Sequence, residues 1–347
     1  MNKEFLKKLL EAKSPSGVEK EAINVWDSEM ESIGLKHYYK DPIGNSGWSL
    51  GEGATKVLLS GHLDEVAMAV VKVDDDGYLG IANMAGIDKK CLPGSKVQVL
   101  SELGKWIPGI IQKAPIHVEE DRDKAEKLES LVLDLGCESK SEVSELAIYP
   151  GCPIVHERNI NLEFGQHRLY GNALDDKIGV FITAEVARIM VSKATPELLE
   201  KYTFIFLATT QEESGLRGAA VAAENIKPNI SIDIDVTFAT NGGLVSSSKY
   251  GEVKLGSGPV IEFGQDKDRD TSIHLIQLAS QLGISVQRGF ARCGGTNTDE
   301  IQLNGGYCRT NLISIPNMSM HTPNETCDWR DVEGAIKLIS GYFTNSL

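Results

Sequence analysis

The chain has 347 residues, 41% hydrophobic and 24% charged, an ordinary globular balance in a length too great for one small core. A formal net charge of −14 and the lack of any Lys/Arg cluster argue against a nucleic-acid binder, which needs a basic face. No apolar run approaches the ~18–20 residues that span a bilayer, and the charged start MNKEFLKKLLEAKSPSG has no signal-peptide core, so a cytoplasmic protein with no membrane partner is expected.

Residues 4–34 carry helical periodicity broken at SPSG (14–17), a turn and N-cap region. KVLLSG (56–61) reads as a short buried strand. Between 70 and 165 the pattern changes to short alternating segments (VVKV, KVQVL, IPGIIQ, LVLDLG) separated by turns such as DDDG, LPGS and LGK. That is a small β-rich unit, with one charged helix expected over EEDRDKAEKLESL (119–131). From 166 onward the helical segments DDKIGVFITAEVARIMV, TSIHLIQLASQLG and RDVEGAIKLISGYF alternate with the apolar strands TFIFLATT, NISIDIDVT and TNLISIP. Such alternation predicts an α/β sheet covered by helices on both faces. The expected organisation is discontinuous: an α/β domain of residues 1–69 and 166–347, with a β-rich insertion of residues 70–165. The six cysteines (Cys91, Cys137, Cys152, Cys293, Cys308, Cys327) form no CxxC pair and read as reduced thiols.

Metal-capable residues follow the strand-like segments. KVLLSG runs into His62, Asp64 and Glu65; TFIFLATT runs into Glu212 and Glu213; NISIDI runs into Asp235; His321 follows TNLISIP; and Asp175–Asp176 open a helix. Taken singly, each has an ordinary explanation: a satisfied buried histidine, a helix cap, a turn residue. As a set they form a mixed His/Asp/Glu shell, and residues beyond the carboxyl ends of strands in an open α/β sheet converge. Imidazole and carboxylate together suit zinc, cobalt or manganese. One carboxylate can bridge two ions, and a carboxylate not spent on metal can act as general base toward water. Two adjacent glutamates suit that division. In the H-x-D spacing, Asp64 is placed to orient the ring of His62.

At these residues the sequence resembles the M42 metallopeptidases, which include the tetrahedral (TET) and glutamyl aminopeptidases. The matching pieces are SGHLDEVA, GNALDDKIGV, QEESGLRGA, DIDVTFAT, KLGSGPVI, GGTNTDE and MHTPNE, in family order over nearly the whole chain. The resemblance implies a mixed-sheet α/β catalytic domain of the zinc-peptidase type, with an inserted small barrel-like domain that builds a dimer, in some members within a dodecamer. It implies two divalent ions per subunit, zinc first, with cobalt or manganese as other choices. His62 and Asp235 would hold one ion and Glu213 and His321 the other, with Asp175 bridging. Glu212 would be the general base and Asp64 the partner of His62, and the Asp175–Asp176 peptide is expected to be cis. The implied activity is removal of N-terminal residues from peptides. The alternatives are a deacylase or other amidohydrolase with the same metals and, more remotely, a glycosidase, which would need two carboxylates flanking a sugar and no metal.

Overall fold

The computed structural model describes residues 1–118, 127–290 and 294–345. In chain order it begins with helices α1 (Lys3–Glu11) and α2 (Lys20–Ile33) and strands β1 (Lys36–Lys40), β2 (Ser46–Leu50) and β3 (Thr55–His62). Next come β4 (Met68–Val73), β5 (Leu79–Asn83), β6 (Lys96–Leu100), β7 (Trp106–Gln112), β8 (Val132–Asp134), α3 (Lys140–Glu145) and β9 (Pro153–His156). The third stretch holds β10 (Asn161–Phe164), β11 (Arg168–Gly171), α4 (Leu174–Lys193), α5 (Pro196–Lys201), β12 (Tyr202–Thr209), α6 (Arg217–Ile226) and β13 (Ile230–Phe238). The chain finishes with α7 (Ser247–Tyr250), β14 (Val260–Phe263), α8 (Arg269–Leu282), β15 (Gln287–Phe290), α9 (Asn297–Asn304), β16 (Arg309–Asn317), β17 (Glu325–Asp328) and α10 (Trp329–Asn345). No described helix is long and apolar enough to cross a membrane.

Contacts divide the chain into two compact units, Met1–Asp64 with Ile160–Met320 and Asn324–Leu347, and Glu65–Asn159 with His321–Pro323. Both junctions lie several residues earlier than the sequence pattern put them. The reason is pairing: Met68 and Ala69 are laddered to β9, whereas β10 is laddered to β11.

The first unit is built on an eight-stranded mixed sheet in the order β1-β2-β12-β3-β13-β16-β14-β15. Its centre, β12-β3-β13-β16, is parallel. Every residue of β12 is buried, as expected of a parallel strand covered on both faces. Alternation along β3 sends Val57 and Leu59 into one core with α4, and Leu58 into another with Ala219, Ala222 and Ile226 of α6. Helix α4 is enclosed by protein: every residue from Leu174 to Ala187 is buried. At the chain start, the Asn2 side chain caps α1 by accepting from the amide of Phe5, and Phe5, Leu6, Leu9 and Leu10 form its buried stripe. A three-stranded sheet, β10-β11-β17, completes this unit.

The second unit is a closed barrel of six strands, β4-β5-β8-β7-β6-β9. Its core forms by period-two patterning: Val97 and Val99 of β6 point inward while Lys96 is exposed, and Ile111 and Leu133 come inward from β7 and β8. Of the helix expected over 119–131, residues 119–126 lie outside the described residues, and Leu128–Ser130 form a single 3-10 turn. Cys91, Cys137, Cys152, Cys308 and Cys327 are free thiols, and Cys293 lies outside the described residues.

Candidate metal centre

Register places the first two site residues side by side. In the parallel ladder of β3 and β13, Ser60 pairs with Asp233, and two residues further along each strand stand His62 and Asp235. On the other side of β3, His62 pairs with Thr209, the last residue of β12, so Glu212 and Glu213 follow just beyond that strand. Asp175 and Asp176 come from the start of α4, whose φ/ψ angles are helical except at these two residues. The peptide joining them is cis, as expected. Glu325 on β17 fixes this start by accepting the amide of Asp175 at 2.8 Å.

His62 is buried. Its Nε2 lies 3.1 Å from Asp175 Oδ1 and 3.8 Å from Glu212 Oε2. Its Nδ1 faces the main-chain carbonyl of Asp64 at 3.1 Å and the Asp64 carboxylate at 3.4 Å. Asp64 thus stands beside the ring as expected, but the nearer contact is its backbone oxygen. Its carboxylate does something the sequence did not reveal: Oδ1 accepts the amide of Glu212 at 2.9 Å and Oδ2 that of Glu213 at 3.1 Å. The residue beside His62 also holds the backbone of the glutamate pair.

Among the described residues, two groups of side chains could each hold a metal ion. His62, Asp175 and Glu213 bring one donor atom apiece to within 4.8 Å of one another, and so do His62, Asp176 and Asp235. Six of the expected residues therefore gather in the first unit: His62, Asp64, Asp175, Glu212, Glu213 and Asp235. His321 is assigned to the second unit, where its Nδ1 lies 2.7 Å from the carbonyl oxygen of Gly86.

Asp176, one of the metal-capable residues of the sequence, has no role of its own in the family resemblance, yet it lies within the cluster. Its Oδ2 accepts the amide of His62 at 3.2 Å, and its Oδ1 the amide of Gly179 at 3.0 Å. The carboxylate fits because neither Gly61 nor Gly179 carries a Cβ, which would come within 2.9 Å and 2.3 Å of Asp176 Oδ2. Those glycines, spaced as G-H and D-x-x-G, were the available signal.

Electrostatics single out the same cluster. Burial pushes the Glu212 carboxyl well above its ordinary range, with Asp235, Glu213 and Asp175 adding to the rise and His62 opposing it. Burial likewise raises Asp235, helped by Asp175, and Asp176, helped by Asp235; His62 again pulls each down. Burial alone would lower His62, but Glu212, Asp175 and Asp64 outweigh it and lift the imidazole well above its usual value. So much buried negative charge against one ring is the environment a divalent cation would relieve. The donors, one imidazole among carboxylates, suit a zinc-type ion.

A family model described as M42 glutamyl aminopeptidase matches residues 46–338. The chain belongs to this family. Membership implies the use of a divalent metal. Among relatives, this M42 chain is 30% identical to the lysyl aminopeptidase of Pyrococcus furiosus over 342 residues, 96% of this chain and 94% of that one. Among solved structures it is similar to a TET aminopeptidase from the marine sediment archaeon Thaumarchaeota archaeon SCGC AB-539-E09 (TM-score 0.91, 27% identity, 99% of this chain and 96% of that one). It is also similar to the Pyrococcus horikoshii TET1 peptidase, which can assemble into a tetrahedron or a large octahedral shell (TM-score 0.86, 29% identity, 99% of each chain).

Proposed function

We propose that this M42 chain is a cytoplasmic aminopeptidase that removes N-terminal residues from peptides, using two divalent ions held by His62, Asp175, Glu213 and Asp235, with Glu212 as general base. The observation that carries the reading is Glu212 itself. It is buried, its proton affinity is raised by burial and by neighbouring carboxylates, and its Oε2 stands 3.8 Å from the ligand His62. A carboxylate used for proton transfer near neutral pH needs such an environment.

Bound in this cluster, the ions would polarise the substrate carbonyl and make water a stronger nucleophile. The protein's own part is proton handling. Glu212 takes a proton from the attacking water and returns it to the departing amine. Asp64 fixes the Glu212 and Glu213 amides and orients the His62 ring, so neither carboxylate has to search for its place. The family resemblance adds His321 as a further ligand; that assignment comes from the motif MHTPNE. Self-association is proposed on the same basis, with the inserted barrel as the dimerising unit and a larger shell, like that of the TET1 peptidase, as the higher assembly.

The test is a panel of aminoacyl substrates and their N-blocked counterparts, offered to chelator-treated protein with zinc, cobalt or manganese added back. Free-amine substrates should be cleaved only after a metal is restored. Equal cleavage of blocked substrates points to a deacylase instead. Full activity in strong chelator sinks the metal mechanism.

A further inference from the structure

Four consecutive backbone amides leading into the glutamate pair are each held by a side chain from elsewhere in the chain. Thr210 donates to Asn45 Oδ1 at 2.9 Å, Gln211 to Glu19 Oε1 at 3.2 Å, Glu212 to Asp64 Oδ1 at 2.9 Å, and Glu213 to Asp64 Oδ2 at 3.1 Å. The carbonyl side is held too: Thr210, Gln211 and Glu212 accept from Gly218, Arg217 and Leu216. Loop amides are ordinarily left to water or to local turns, so an unbroken row of remote acceptors is specific support.

The row is needed because Gln211, directly before the general base, has φ of 56°, a left-handed conformation that a residue with a Cβ adopts only when its surroundings impose it. The acceptor for Gln211 is itself unusual. Glu19 is the N-cap of α2, yet its side chain makes no capping bond. Oε1 turns away from the helix, accepting from Gly17 at 2.6 Å as well as from Gln211. In the same turn Ser16 donates to Asp64 Oδ2 at 2.6 Å, and both side chains are buried. One short turn at the chain's beginning therefore reaches both supports of the glutamate pair, Gln211 directly and Asp64 through its carboxylate.

We infer that Glu19 is a positioning residue for Glu212: by holding the Gln211 amide it keeps the general base aimed at its water. The inference rests on the reading of Glu212 given above. Releasing Gln211 from its left-handed conformation would swing the next side chain, and a misplacement of about 1 Å can cost up to about 100-fold in rate.

The experiment uses the full chain reconstituted with zinc. Glu19→Ala should lower kcat by about 10- to 100-fold, with KM and bound zinc little changed, and should speed amide exchange over residues 209–213 in the zinc-free chain. Glu19→Gln, which keeps the acceptor oxygen, should restore most of both. Unchanged kcat in folded, zinc-loaded Glu19→Ala overturns the inference, as does a loss that tracks zinc content or global stability and is not rescued by Glu19→Gln. If Glu19→Ala does not fold, Ser16→Ala decides: a several-fold fall in kcat at full zinc content supports the brace, and wild-type kcat overturns it. Glu212→Gln runs alongside. Undiminished turnover there breaks the functional reading itself, whereas an inactive Glu212→Gln beside a fully active Glu19→Ala breaks only this inference.

Discussion

In the second unit Glu65 is buried and meets Arg158 twice, Oε2 to Nη1 at 2.6 Å and Oε1 to Nη2 at 2.5 Å. In the first unit Asp176, Glu212 and Asp235 are equally buried, and the ring that opposes their charge, His62, is common to all three. A guanidinium fork matches a carboxylate in charge and geometry, so the Glu65–Arg158 pair is closed and leaves nothing for a ligand to complete. The cluster around His62 is open: several buried carboxylates face one imidazole, a set that a cation from outside would balance. A buried carboxylate is thus not in itself a functional signal; what distinguishes the two regions is whether the chain brings its own cation.

The largest expected effect tests the open region. Glu212→Gln should reduce kcat by about 10²–10⁴-fold while metal per chain, measured by elemental analysis, stays at the wild-type value. If metal and turnover fall together, Glu212 is a ligand and not a base. The closed region should respond in stability and not in chemistry. Arg158→Met strands Glu65 and should cost about 3–5 kcal/mol of unfolding free energy, read from urea titration in excess chelator and in excess zinc alike. Glu65→Leu added to Arg158→Met should recover most of that loss. A zinc-dependent cost for Arg158→Met would erase the distinction between the regions.

Glu262, on β14, shows a third solution, neutralisation by a proton. Burial raises its carboxyl to about 7 against an ordinary 4.5, with Lys267, Thr237 and Ser314 opposing. Its folded pKa is raised, so the folded chain keeps a proton that the unfolded chain releases, and stability falls as pH rises from about 4.5 to about 7. Glu262→Gln stays neutral. It should remove that fall and be more stable than wild type above pH 7, by on the order of 3 kcal/mol at about 1.4 kcal/mol per unit. Parallel pH profiles of thermal midpoint for both proteins would count against it. The smallest effect concerns the ions alone. Zinc at about 100 times its dissociation constant should stabilise the wild type by about 2.7 kcal/mol, and Asp235→Asn should lose most of that gain at the same zinc concentration.

Much of this is legible in the amino-acid sequence. The parallel core strands announced themselves as unbroken apolar runs, and His62, Glu212, Glu213 and Asp235 were conspicuous because each polar group sits at or just beyond such a run. The β-rich insertion is legible as a change from helical to alternating periodicity; that it is barrel-like comes from the family resemblance. What escaped was whatever depends on side chain meeting distant backbone. Glu19 lies 192 positions from Gln211, and nothing in SPSGVE distinguishes a carboxylate that caps its own helix from one that supports another loop. Asp176 escaped for a related reason: beside Asp175 at a helix start it reads as a cap, and its distinct duty emerges only where Gly61 and Gly179 clear a space for it. The short strands β5 and β9 carry too little pattern to register; closure of the barrel, not local propensity, defines them.

Closure of that barrel also limits how two copies of the second unit can meet. A sheet that ends in a free strand offers a row of unpaired amides and carbonyls to any other strand, and so can grow by backbone addition. In the six-stranded ring every strand has a paired neighbour on both sides. Two such rings can associate only through shape and side-chain chemistry, an interface that individual substitutions can tune and that has no built-in route to open-ended fibres.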